Sequence, residues 1–170
     1  AVSVSLGTAL PFGANLKNQF SSGMRLNASI ATPFEFSGIK VLGEFSTFTL
    51  AASGDFSDNY TDYSVTSFGV KLTKSISVLD LSLGTGLSMA SGTAMYMPYE
   101  DYNMTTLFLS GAASYTLPLS GLFSKIADGK FEDLEIAVSM GGIEIFGAPA
   151  DSGTSDLLDF GLSIRYPFLF

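Results

Sequence analysis

The chain has no cysteine, no histidine and no tryptophan among its 170 residues. Without cysteine, a disulfide framework and a thiolate metal site are excluded. Without histidine, Ser–His hydrolases, histidine-ligated zinc and histidine general bases are excluded too. Charge is scarce: Asp, Glu, Lys and Arg make up 14% of the chain, against about 25% in ordinary soluble domains. The net charge of −8 has the wrong sign for a phosphate backbone, so nucleic acid is not expected as a partner. Although 46% of the residues are hydrophobic, no apolar run approaches the roughly 18–20 residues of a transmembrane helix.

In place of long runs, the apolar residues are dispersed, each followed by something small or polar, among 18 glycines, 15 phenylalanines and seven tyrosines. The period is two, that of a strand. In VLDLSLGTGLSMA, residues 78–90, Leu79, Leu81, Leu83, Thr85, Leu87 and Met89 fall on one face. Asp80, Ser82, Gly84, Gly86 and Ser88 fall on the other. The same alternation predicts eight strands, at about 1–12, 22–32, 38–52, 63–74, 78–90, 104–117, 132–146 and 157–170. The third changes its apolar parity near Phe48 and Leu50, which predicts a bulge there. No crossover helix separates the strands, so antiparallel neighbours are expected. Connections after strands 1, 3, 5 and 7 are long and polar, and those after 2 and 4 are short. The exception is PLSGLFSKIADGKFE after strand 6. The chain opens directly into AVSVSLG, already strand-like, as expected of a mature chain whose signal has been removed.

Soluble and membrane barrels share such alternation with opposite sense, and three features favour the apolar face outward. The polar face consists of small residues with an occasional charge, as in Arg25, Asn27, Ser29 and Ala31, which suits a narrow lumen better than a water-facing surface. The apolar face offers several bulky side chains on every strand, more than the interior of a small barrel holds. Long and short connections alternate, as in outer-membrane barrels. The expected architecture is one domain, residues 1–170: an all-β, eight-stranded antiparallel up-and-down transmembrane barrel with a lumen filled by polar side chains.

The last strand ends LLDFGLSIRYPFLF, with Phe160, Leu162, Ile164, Tyr166, Phe168 and Phe170 at alternate positions. This resembles the carboxy-terminal signal of the small eight-stranded outer-membrane barrels of diderm bacteria, the OmpA-type and OmpX-type family. The resemblance implies an integral outer-membrane location, membrane lipid as surroundings, and the outer-membrane insertion machinery as a partner that reads the terminal strand by strand addition. The lack of tryptophan departs from the pattern, so any interfacial belt must be Tyr and Phe.

By parity, Arg25, Lys71, Asp80, Glu135, Asp159 and Arg165 point into the lumen, joined by Lys40 and Glu44. Lys71 near the end of strand 4 and Asp80 at the start of strand 5 are expected to pair, as are Glu135 and Arg165 on strands 7 and 8. Charges buried in a narrow lumen need partners, which makes a structural plug the plainer reading and a pore the sharper one. The connections DFSDNYTDY and MYMPYEDYN supply Tyr60, Tyr63, Tyr96, Tyr99 and Tyr102, which form either a recognition surface or loop packing. Asp55, Asp58 and Asp62 lie among them, but their spacing fits no EF-hand loop. They read as a solvated anionic loop, and no metal site is expected. Ser120–Asp128 has helical spacing, with Ser120 and Gly129 as caps, and reads as a short amphipathic helix lying at the membrane surface or closing the barrel, or else as a docking element for a periplasmic partner.

No pair of carboxylates stands out for catalysis, and neither enzyme activity nor a cofactor is expected. The leading expectation is a structural or surface-exposed integral membrane protein that self-associates side by side, with the small outward residues Gly111 and Ala113 admitting a neighbour. The alternatives are an adhesin or receptor using the Tyr-rich loops, and a conduit for small apolar molecules. The conduit needs an apolar lumen, which this pattern does not show.

Overall fold

The structure, a computed structural model, describes residues 2–12, 20–53, 61–94, 100–117, 135–146 and 154–166. At 93–94, 100–102, 154–159, 163, 165 and 166 it describes the backbone alone. Eight strands follow one another: β1 (Val2–Pro11), β2 (Gly23–Phe36), β3 (Ile39–Leu50), β4 (Tyr63–Ile76), β5 (Leu79–Ala94), β6 (Glu100–Thr116), β7 (Glu135–Phe146) and β8 (Thr154–Tyr166). Each pairs antiparallel with the next, and β1 with β8 closes the ring. Closure leaves no strand edge unpaired, as a barrel in lipid requires. Stepping from partner to partner, Ile39, Lys74, Leu81, Ala113, Met140, Phe160, Thr8 and Met24 lead back to β3 at Thr49, ten residues beyond Ile39. That stagger implies a strand tilt of about 40°.

The two short connections are two-residue turns. Ser37 and Gly38 both have positive φ, 50° and 75°, the pattern of a type I′ hairpin whose twist matches the strands. In the other, Ser77 takes φ 56°. These turns and the β6–β7 connection lie at one end of the barrel, the turn end; the connections after β1, β3, β5 and β7 lie at the other, the loop end.

The expected bulge at Phe48 and Leu50 does not exist. The β3–β4 register runs unbroken from Ile39↔Lys74 to Leu50↔Tyr63. The irregularity lies in β2 instead, where four steps from Ala31 to Glu35 face two steps on β3, from Leu42 to Lys40. Pro33 sits inside that stretch and has no N–H for the ladder. The Thr32 hydroxyl donates to the Val41 carbonyl at 2.7 Å and accepts from the Phe34 N–H at 3.3 Å, which covers part of the gap.

Parity on β3 is conserved; what changes is which kind of residue occupies each side. Phe45 and Phe68 face out, but Phe48, Leu50, Tyr63 and Val65 face in and are buried. Together with Ala9, Phe20, Ala90, Phe108, Ile143 and Ile145 they form one apolar cluster across the loop-end half of the lumen. The polar lumen foreseen from sequence therefore holds only for the turn-end half.

Candidate functional site: the lumen and the outer wall

Across β3, β4, β5 and β6 the outward residues form rows. Phe45, Phe68, Leu87 and Leu107 make one row, and Thr47, Thr66, Met89 and Thr105 lie in the next toward the loop end. Thr49, Ser64, Ser91 and Asn103 lie beyond that. The outer wall turns from apolar to hydroxyl-rich within two rows, and Thr47–Thr66 (3.3 Å) and Thr49–Ser64 (3.0 Å) hydroxyl pairs knit the polar part together. On β7 the change is marked by Glu144, opposite Asp156 of β8. Below it, the apolar band on β5 runs ten steps from Leu79 to Met89, roughly 25 Å at this tilt, the height of a membrane barrel's apolar belt. Thr85, the one hydroxyl on the outward face of that stretch, donates to the Phe108 carbonyl at 2.9 Å, so it presents no free donor to lipid.

The lumen is layered. At the loop end Tyr63, 1% exposed, packs against Phe20 (ring centroids 5.5 Å apart) and meets Phe48 edge-on at 6.4 Å. Next come buried Ser46, Ser67 and Ser88, the last two sharing a 2.6 Å hydrogen bond. Phe108 lies in register with Gly86 and Gly69. Those two strands approach so closely that a Cβ on Gly86 would stand 2.2 Å from the Phe68 carbonyl oxygen. Below, the Lys71 ammonium donates to Glu44 Oε1 at 3.4 Å, and the Glu44 carboxylate rests in the notch left by Gly84, beside Ser110. Toward the turn end the lumen opens into a cavity of about 190 Å³, lined by Arg25, Asn27, Lys40, Glu44, Lys71 and Asp80 together with eight serines.

These positions correct one expected ion pair. β4 does not end near Lys71 but continues to Ile76, so Lys71 stands opposite Gly84 and Asp80 opposite Ser75. Lys71 instead reaches diagonally to β3, where Glu44 is paired with Gly69, two residues away and within range of a long side chain. Asp80 Oδ1 accepts from the Ser75 hydroxyl at 2.5 Å. Glu135 and Arg165 stand opposite each other in the β7–β8 register; the ion pair expected between them lies outside what is described, since the structure gives the backbone alone for Arg165. Arg25 is buried, with Nη2 3.5 Å from Ser46 Oγ. Asp159 holds a register position opposite Gly141 and Ala9. Glu44, a secondary candidate in the sequence, is the centre of the arrangement, and its signal was parity alone.

Tyr63 is withdrawn from the recognition surface, because it is the anchor of the apolar cluster. Tyr102 lies within β6, opposite Gly92. Tyr60, Tyr96 and Tyr99, the 120–128 segment, Phe168 and Phe170 lie outside the described residues. Phe160, Leu162 and Ile164 do face outward, each about half exposed; Tyr166 is placed by backbone only, opposite Val2. Among the described residues no group of acidic side chains is arranged to hold a metal ion.

A closed ring of eight antiparallel strands is the fold of the small eight-stranded outer-membrane β-barrels. Among solved structures, Neisserial surface protein A matches with a TM-score of 0.63 at 12% identity, over 98% of this chain and 96% of that one. Ail, the attachment invasion locus protein of Yersinia pestis, matches at 0.57 and 14% identity, over 97% of each chain. The outer membrane enzyme PagL gives 0.44 at 13% identity, over 98% of this chain and 99% of that one. No protein-family model and no curated protein sequence matches the chain.

Proposed function

We propose that the protein is an integral outer-membrane barrel with a structural, non-catalytic role, held in lipid by its apolar belt and assembled side by side with copies of itself. The observation that carries the membrane reading is the belt, bounded by Thr47, Thr66, Ser91, Thr105 and Glu144 toward the loop end. A surface with Leu83 at 65% and Met140 at 59% exposure is costly in water and at rest in lipid. Supporting the assembly, the outward glycine Gly111 stands directly opposite Gly142, with Ala113 next to it. This leaves a shallow patch where a second barrel can approach closely.

Cross-linking in intact membranes, followed by gentle detergent extraction, tests both parts. The expected result is a ladder of regular multiples that collapses to a single species in Gly111→Leu. A Cβ at Gly111 meets the Leu83 side chain at 3.6 Å and the Ser82 carbonyl oxygen at 3.9 Å, both ordinary contacts, so the barrel itself accommodates the change. A lone monomer sinks the assembly, and a chain absent from the membrane fraction sinks the barrel in lipid.

A second reading, a surface receptor, draws on charge. The loop-end connections carry Asp55, Asp58, Asp62 and Asp151, with Glu100 and Asp101 at the adjoining start of β6, against one cation, Lys17. Ail was also solved with the heparin analogue sucrose octasulfate, a polyanion; acidic connections suit a cationic partner instead. Loss of cell attachment after neutralising Asp55, Asp58 and Asp62, with the barrel intact, supports this reading. The conduit for apolar molecules is disfavoured by the cluster around Tyr63 and Phe108, which fills the lumen where such a path would run.

A further inference from the structure

We propose that the turn-end half of the lumen is a one-ended pocket that admits small neutral hydroxyl-bearing solutes from the turn side and is sealed from the loop side. The inference rests on the reading of the chain as a membrane barrel. Its floor is the apolar cluster, whose Leu50 and Ile145 have no exposed surface at all. Among the described residues, its mouth lies between the two tight turns, where Lys40 and Ser75 are exposed.

Between floor and mouth lies the 190 Å³ cavity, room for several waters. A stretch of membrane barrel walled by bulky side chains would be dry. This one is walled by hydroxyls, and it holds polar atoms that the protein leaves unanswered. The Glu44 side chain is 95% buried and gives Oε1 to Lys71, but Oε2 finds no donor among the described residues; Asn27 Oδ1 is in the same position. Buried acceptors without donors cost free energy, so a donor from outside the chain is called for.

Charge selects the class of that donor. The cavity's cations and carboxylates are largely matched: Lys71 is held by Glu44, and Arg25, Lys40 and Lys71 line the cavity with Glu44 and Asp80, while Glu35 stands opposite Lys40 in the β2–β3 register. An entering ion would shed its hydration and meet no net countercharge. A neutral molecule with hydroxyl groups, glycerol-sized or smaller, answers Glu44 and Asn27 and bonds the serines at no such cost.

The chain's lack of cysteine makes single-cysteine variants uniquely readable. Ser82→Cys and Ser114→Cys place a thiol in the pocket and Ala90→Cys places one in the seal. Ser77→Cys in a turn and Ser91→Cys above the belt report the two sides. The full-length protein in sealed vesicles is treated from each side with hydroxyethyl, aminoethyl and sulfonatoethyl methanethiosulfonates.

The expected result is that the neutral reagent labels Ser82→Cys and Ser114→Cys from the turn side, about tenfold faster than from the loop side and than Ala90→Cys. It also outpaces both charged reagents by a margin absent at Ser77→Cys. Equal labelling from both sides overturns the seal. Inert pocket thiols in a chain whose controls span the bilayer overturn the pocket, and charged reagents entering as readily as the neutral one overturn the solute class. If the controls show that the chain does not span, the membrane reading falls, and the pocket with it.

Discussion

Replacing Glu44 with Gln removes the countercharge of Lys71, whose side chain is only 20% exposed. Stripping one member from a buried pair costs more than the pair contributes, because the survivor keeps its desolvation penalty. E44Q is expected to lower unfolding stability in lipid vesicles by roughly 2–4 kcal/mol, and the double variant E44Q/K71M to recover most of it. Equal losses in single and double variants would show that the pair is not coupled. A few residues outward, Gly86→Ala drives a Cβ into the Phe68 carbonyl at 2.2 Å. A loss of about 1–3 kcal/mol is expected, since the obstacle is backbone and cannot rotate away.

At the level of the elements, the hairpins and the apolar cluster are separable. In the β4–β5 turn Ser77 holds φ 56°, a region that costs a side-chain-bearing residue more than glycine. Ser77→Gly is therefore expected to raise stability by up to about 1 kcal/mol, read as a higher denaturant midpoint with unchanged slope. The cluster behaves as an ordinary protein core although it stands in a lumen. Phe108→Ala empties the space above Gly86 and is expected to cost about 3–5 kcal/mol. The eight elements were legible from alternation alone, and every predicted strand overlaps an observed one. The bulge was misplaced because Phe48 and Leu50 were read as a slip of the outward face. In the structure they are inward residues in perfect register, and the true irregularity follows Pro33.

For the molecule as a whole, the sense of amphipathicity inverts along the barrel axis. On β3 and β4, the residues below the Phe45–Phe68 row are largely apolar outside and polar inside; above it they are hydroxylic outside, with Phe48, Leu50, Tyr63 and Val65 buried inside. The first arrangement suits lipid and the second suits water, so on the proposed membrane reading the row marks where the bilayer ends. Charge introduced on one strand on either side of it provides a test. Leu83→Arg, mid-belt on β5, is expected to cost about 2–4 kcal/mol, and Ser91→Arg on the same strand about 0–1 kcal/mol, both by unfolding in vesicles. Similar costs at the two sites would mean that the belt is not in lipid.

Strand number, order, parity and the outward direction of the apolar face were determined by the sequence itself. All four follow from a two-residue period and from how much bulk a narrow lumen can hold. Which charges meet was decided only by the closed ring. A pairing depends on hairpin length and on the ten-residue stagger, and a few residues' error in where β4 ends moved Lys71 from Asp80 to Glu44. The same holds for Tyr63. Its sequence neighbours make it look like a loop aromatic, and only curvature, which brings Phe20 and Phe48 against it from other strands, turns it into the centre of the seal.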